Sequence, residues 1–261
     1  MLRSEFKQTC RERTPCWGTV LMEYMTPQVV RTMAQAGFDW LWVENEHAHH
    51  SYETIQEIAR TADDVGIITV LRVAQAEYSL IARALDLGVG GIIVPRVETP
   101  EQARYIVDCA KYPPIGKRGF GLRPWVCGGH RTMAGRVQDQ NEGRCLFLQV
   151  ESRRGVENLE AMLDVAAGQV DTVVFGPADY QMDIGLADAI DAPEVDEAAR
   201  HVSAVCSARG VSCALPTATP EMAGHWLERG FNLIAVGSDH GLLAGAAVQV
   251  RTALQVISPP K

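Results

Sequence analysis

Eight short runs rich in β-branched and aromatic residues alternate with amphipathic, helix-like segments along the whole chain. The runs are WGTVLM at 17–22, FDWLWVE at 38–44, IITVLRV at 67–73, GIIVPRV at 91–97, CLFLQVE at 145–151, DTVVFG at 171–176, GVSCAL at 210–215 and NLIAVG at 232–237. A helix after each strand carries the chain back to where it began, so the next strand must run parallel to the last. Eight such units favour closure into a (β/α)8 TIM barrel, with an open, doubly wound α/β sheet as the alternative. The length of 261 residues suits a barrel, for which about 250 is typical. No linker interrupts the alternation, so one domain over 1–261 is expected.

Helix boundaries are legible. Thr26-Pro27, Thr99-Pro100 and Thr219-Pro220 each offer an N-cap oxygen followed by a proline preset for the first helical turn. Gly37, Gly66 and Gly230 stand where helices should stop. One stretch breaks the pattern. Residues 112–143 carry seven glycines and three prolines and read as a long functional loop after strand 4, on the face where barrels keep their active sites.

Composition removes several classes of function. The net charge is −8 and no basic stripe is visible, which argues against nucleic acid and anionic membranes as partners. The N-terminus lacks the apolar core of a secretory signal, and no run approaches the roughly 18 apolar residues of a membrane span. The seven cysteines are odd in number and form no CxxC, as expected of reduced cysteines in a cytoplasmic protein. No GxGxxG follows a strand, and neither a P-loop nor a GxSxG is present. Only four lysines occur, Lys7, Lys111, Lys117 and Lys261. None ends a strand, which argues against Schiff-base and pyridoxal chemistry. Lys111 and Lys117 read as part of the exposed long loop. No organic cofactor is expected.

The strand ends hold the chemistry. Strand 2 runs into Glu44-Asn45-Glu46-His47-Ala48-His49-His50, strand 3 ends at Arg72, and strand 5 at Gln149-Val150-Glu151. Strand 6 ends at Gly176-Pro177-Ala178-Asp179 and strand 8 at Ser238-Asp239-His240. Adjacent strands should bring Glu151 and Asp179 together, and facing carboxylates repel unless they share a proton or a cation. Such an oxygen pair suits Mg2+, Mn2+ or Co2+. Alternatively, Glu151 pairs with a barrel arginine and Asp179 caps the helix at 179–184. Arg72 either forms a salt bridge with Glu44 or Glu151, or captures a substrate carboxylate through its guanidinium fork. His47 is a base candidate with acidic neighbours; a zinc cluster of His47, His49 and His50 is the alternative, without a matching ligand spacing.

These stretches resemble the HpcH/HpaI family of metal-dependent pyruvate aldolases. The similarity runs from about residue 15 to 255 and lies in GFDWLWVENEHA, ALDLGVGGIIVPRVETPEQA, KYPPIGKRG, LQVESRRGVENL, VVFGPADYQMDIG and VGSDHGLL. The resemblance implies a barrel of the phosphoenolpyruvate/pyruvate-domain type. It implies a homo-oligomer, trimer or hexamer, with the last helix exchanged between neighbours. It implies a divalent metal on Glu151 and Asp179 that holds pyruvate, with Arg72 at the ketone oxygen. His47 would do acid/base work, oriented by Glu44. Backbone amides around Gly176, Pro177 and Ala178 would hold the pyruvate carboxylate, with Gln149 close by. The implied reaction cleaves a 4-hydroxy-2-oxo acid to pyruvate and an aldehyde. The related citrate-lyase β and malyl-CoA lyase proteins give the alternative, a lyase acting on acyl-CoA thioesters. This chain departs from the family pattern at Glu44, where Asp is more frequent, at Asn45, at His49 and His50, and in GFGLRPWVCGGHRTM of the long loop.

Overall fold

The computed structural model describes residues 1–123, 126 and 129–257. Its eight parallel strands form a closed barrel in sequence order: β1 (Cys16–Leu21), β2 (Trp40–Glu44), β3 (Ile68–Arg72), β4 (Gly91–Val94), β5 (Cys145–Val150), β6 (Thr172–Phe175), β7 (Ser212–Thr217) and β8 (Leu233–Ser238). β8 closes back on β1. Each strand falls within two or three residues of its sequence expectation, and the open sheet is excluded.

Buried side chains fill two layers. Those on the outer faces of the strands pack under the helices, around Leu41, Ile92, Leu148 and Phe175. Those pointing inward form a second cluster around Trp40, Trp42, Ile93 and Phe147. Close approach fixes one residue here: Gly18 pairs with Trp40, and a Cβ at Gly18 would sit 2.5 Å from the Trp40 ring.

Helix starts follow the Thr-Pro signals. Thr26, Thr99 and Thr219 each accept the N–H three residues on, opening α2 (Pro27–Gln35), α5 (Pro100–Ala110) and α11 (Pro220–Glu228). Gly66 closes α3 (Tyr52–Val65) in the left-handed conformation, with φ of 75°.

An unexpected helix, α1 (Arg3–Glu12), plugs the end of the barrel where the strands begin. Its buried Phe6 lies 6.4 Å from the rings of both Trp40 and Phe147, and Ser212 donates to the Cys10 carbonyl.

The stretch 112–143 corrects two expectations. Its last third is helical, α6 (Met133–Gly143), capped by Thr132. It also lies on the other face. It follows α5 rather than β4, so it begins where helices hand over to the next strand, near the strands' N-terminal ends. Arg118 is buried there, paired with Asp86 near the end of α4 (Tyr78–Asp86). Tyr112, Leu122 and Val126 form their own small core. Pro124, Trp125, Cys127 and Gly128, within the expected loop, lie outside the described residues. Lys111 is not exposed: it is buried, and donates to the carbonyls of Asn141 and Arg144 at 2.8 and 3.1 Å.

Candidate active site

Strand register builds the first half of the site. Glu44 and Arg72 are direct partners at the ends of β2 and β3. Their side chains meet: Arg72 donates from Nε at 2.7 Å and from a terminal nitrogen at 2.6 Å to the same Glu44 oxygen. Trp42 Nε1 donates to that oxygen at 3.1 Å, and the Arg72 guanidinium lies 5.1 Å from the Trp42 ring. The other Glu44 oxygen accepts the backbone N–H groups of Glu46 and His47, at 2.7 and 3.0 Å. A wholly buried carboxylate is costly unless paired and hydrogen-bonded, and Glu44 is both.

This corrects the expected Glu44–His47 dyad. Glu44 holds the backbone of His47 and not its ring. The acidic side chain nearest the ring is Glu46, with Oε2 3.8 Å from His47 Nε2. That same oxygen lies 3.1 Å from Arg72. Burial pushes the Glu46 carboxyl above the usual carboxylate range, against the lowering charges of Arg72 and His47. The edge of Arg72 bearing Nε is consumed by Glu44, so that edge is closed to fork-like capture of a substrate carboxylate. Of the two salt bridges considered for Arg72, the one to Glu44 forms. The sequence marks Glu46 only as an acidic neighbour of His47; its spacing of two from Glu44 is the signal that could have found it.

The His47 side chain is 61% exposed. His50 is tied down, its Nε2 2.8 Å from the Met22 carbonyl and its N–H donating to Asn45. Among the described residues no group of three or more His, Cys, Asp or Glu side chains is disposed to hold a metal ion. That removes the zinc cluster of His47, His49 and His50.

The second half comes from β5 and β6. Glu151 follows β5 and is buried. Its Oε1 accepts the Arg96 N–H at 2.9 Å, and its Oε2 accepts from Gln149. Among the described residues no arginine side chain pairs with it. Burial pushes the Glu151 carboxyl up to about 7; the Gln149 hydrogen bond opposes this, and the charges of Asp179 and Glu46 add to it. Gln149 Oε1 is buried without a hydrogen-bond partner among the described residues. Gly176 lies against this carboxylate so closely that a Cβ there would stand 2.6 Å from Glu151 Oε2.

Asp179 lies in the first turn of α9 (Pro177–Asp183), whose N-cap is Gly176, a residue with no side chain to cap the helix. Asp179 is exposed just past the end of β6, and its charge is among those that raise the Glu151 carboxyl. The amide expectation also needs correction. The Gly176 N–H already donates to the Val150 carbonyl at 3.0 Å, and Pro177 has no N–H. The amides left for an anion are those of Ala178 and Asp179, in the first turn where helical N–H groups lack internal partners.

Two carboxylates coupled by charge, a neighbouring orphaned amide oxygen and an immobilised guanidinium, all at the C-terminal end of a parallel barrel, mark the candidate active site. The chain belongs to the HpcH/HpaI aldolase/citrate lyase family, whose profile it matches over residues 20–246. It is therefore a lyase. A 2-keto-3-deoxy-L-rhamnonate aldolase of Salmonella gallinarum is 33% identical over 243 residues, covering 92% of this chain and 88% of that protein. A hydroxypyruvate/pyruvate aldolase of Delftia acidovorans is 34% identical over 250 residues, covering 93% and 89%. The crystal structure of an HpcH/HpaI aldolase from Desulfitobacterium hafniense superposes with a TM-score of 0.88 at 29% identity, covering 97% of each chain.

Proposed function

We propose that this chain is a divalent-metal-dependent aldolase that cleaves a 4-hydroxy-2-oxo acid to pyruvate and an aldehyde. The observation that carries this reading is the buried Glu151, coupled by charge to Asp179, at the same barrel mouth as an arginine fixed by two carboxylates. The residues fit a hard cation. Two carboxylates supply oxygen donors, Asp179 is exposed, and Gln149 Oε1 is buried and unpartnered among the described residues. Glu151 and Asp179 would hold Mg2+, Mn2+ or Co2+, leaving coordination positions for substrate. The bound cation supplies Lewis-acid polarisation of the oxo acid.

The remaining work belongs to side chains and backbone. Arg72, held by Glu44 and Glu46, donates a hydrogen bond to the 2-oxo oxygen, where negative charge develops as the C3–C4 bond breaks. Its orientation is fixed beforehand, so little reorganisation opposes that stabilisation. The N–H groups of Ala178 and Asp179 receive the substrate carboxylate. His47 takes the proton from the 4-hydroxyl as the aldehyde forms, with Glu46 beside its ring. Gly176 keeps open the space between Glu151 and the substrate.

The same reading includes a homo-oligomer, trimer or hexamer. Its support is α12 (Asp239–Ile257), where Leu243, Val248, Leu254 and Ile257 are exposed and only Asp239 is buried. A cytoplasmic location is supported by the six described cysteines, all free and buried. Among the described residues no helix is long and apolar enough to cross a membrane.

Pyruvate release from a set of 4-hydroxy-2-oxo acids, followed with lactate dehydrogenase, tests the reading. EDTA should abolish it and Mg2+, Mn2+ or Co2+ should restore it. Full activity after exhaustive chelation, or borohydride trapping of an imine, overturns it. Cleavage of acyl-CoA thioesters in place of the free oxo acids would establish the CoA-lyase alternative.

A further inference from the structure

Arg96 is the second residue past β4, on the rim of the same site. Its segment is bolted to the residues assigned above. The Arg96 N–H donates to Glu151 Oε1 at 2.9 Å. The next N–H, that of Val97, donates to the Gln149 carbonyl at 3.0 Å. Between these anchors the backbone of Arg96 takes a φ of 57°. This is the left-handed region, where glycine or asparagine fits more cheaply than a long side chain. The side chain that stands there is a cation, and it is exposed.

The charges around it leave it unspent. Glu44 and Glu46 are engaged with Arg72. Glu151 and Asp179 are the carboxylates assigned to a cation. Among the described residues the Arg96 guanidinium has neither a hydrogen bond nor an ion pair. Its charge nevertheless reaches into the site, where it joins Arg72 and His47 in opposing the rise that burial imposes on Glu46. The pyruvate half of a substrate occupies the floor formed by Arg72, Glu151 and Asp179. On that reading an aldehyde half that extends outward past Glu151 meets the rim where Arg96 is pinned.

We propose that Arg96 is a specificity-determining residue that receives an anionic group, carboxylate or phosphate, on the aldehyde half of the substrate. This rests on the aldolase reading and names the substrate class that this site selects. A guanidinium offers paired N–H donors that match the planar or tripodal oxygens of such groups. A neutral aldehyde of equal length leaves that cation without a partner.

The experiment runs the reaction in the condensation direction, with metal-supplemented enzyme, pyruvate and two matched acceptor pairs. One pair is 4-oxobutanoate and butanal; the other is glyceraldehyde 3-phosphate and glyceraldehyde. The wild type should prefer the charged member of at least one pair by about 10- to 100-fold in kcat/KM, the value of a charge-assisted hydrogen bond. Which pair responds separates carboxylate from phosphate. In Arg96→Gln the ratio should fall towards one, chiefly through a higher KM for the charged aldehyde. Arg96→Gly, which relaxes the backbone, should lose the ratio equally. No preference in the wild type, or a preference that survives both substitutions, overturns the assignment. Exchange of the pyruvate methyl protons in D2O, read by NMR, separates the two levels of failure. Exchange without preference removes only the role of Arg96. Absence of both exchange and condensation overturns the aldolase reading and this assignment with it.

Discussion

His47 holds its ring in solvent while its backbone is clamped by a buried carboxylate, and the two facts divide its role from its support. Replacing it with alanine leaves the clamp, which uses the main chain. His47→Ala should therefore fold normally and lose about 10² to 10⁴ in kcat, the usual contribution of a positioned general base. His49→Ala is the control, since among the described residues His49 stacks on His50, with ring centroids 6.3 Å apart, and makes no hydrogen bond. Equal damage from both substitutions in the pyruvate-release assay would remove His47 from the reaction. Gly176 gives a sharper test of the carboxylate pair. A methyl group there would stand 2.6 Å from Glu151 Oε2 and 2.8 Å from Glu151 Cβ, closer than such atoms approach. Glu151 must move, so Gly176→Ala should weaken Mn2+ binding by at least about tenfold in a calorimetric titration. Unchanged Mn2+ affinity in a folded variant would place the cation elsewhere. Which residues gather at the strand ends is legible in the sequence at these positions; which atoms meet is not. Glu44 and His47 are three apart in a tight turn, a spacing that allows a side-chain contact. The neighbouring strand decides otherwise, because Arg72 stands in register with Glu44 and takes its carboxylate.

At the scale of elements, the signals that succeed are local and chemical. Threonine before proline sets helix starts, and β-branched runs set strands. α1 escapes such a reading because its apolar buried stripe is only Phe6 and Cys10, one turn apart, among charged residues. α6 escapes it because MAGRVQDQNEG has two glycines and little apolar periodicity. The glycines of the long segment suggest a catalytic loop, whereas the preceding helix has already carried the chain to the far end of the barrel. α12 poses the opposite problem. It is long and apolar, yet beyond Asp239 it is not buried. Asp239 anchors its start by accepting N–H groups from Met22, Glu23 and Tyr24. Exposed apolar side chains along a helix mark an interaction face, and a symmetric copy is the simplest partner. Ending the chain at Gly245 should keep that anchor and the barrel, with its circular dichroism spectrum. The mass by light scattering should fall from the oligomer towards the monomer. An unchanged oligomeric mass would remove α12 from the interface.

The whole molecule separates chemistry from closure: the carboxylates and Arg72 sit at one end of the barrel, and the buried lysines at the other. Lys7 reaches Asp171 and the Arg144 carbonyl, each at 3.3 Å. Lys111 donates to the Asn141 and Arg144 carbonyls, tying α6 to the start of β5. Both lysines therefore lie away from the mouth that holds Glu151 and Arg72. Their cost appears in stability. Burial pulls the Lys111 ammonium down from 10.5 to about 8, the Lys7 charge adds to this, and Asp171 opposes it. Below about pH 8 the folded and unfolded chains both carry this proton, and the fold bears the full cost of burying the charge. Between about 8 and 10.5 the folded chain has released the proton while the unfolded chain retains it. Stability must rise with pH across that window, because the unfolded state binds more protons there. One proton held by only one of the two states is worth about 1.4 kcal/mol per pH unit, so a gain of order 1 to 3 kcal/mol is expected. Other groups titrate over the same range, and Lys111→Met isolates this one. Urea unfolding of both proteins between pH 7.5 and 10.5 should show the wild type gaining stability relative to Lys111→Met as pH rises. Parallel pH profiles would mean that Lys111 keeps its proton in the fold and that the carbonyls of Asn141 and Arg144 solvate the charge in full.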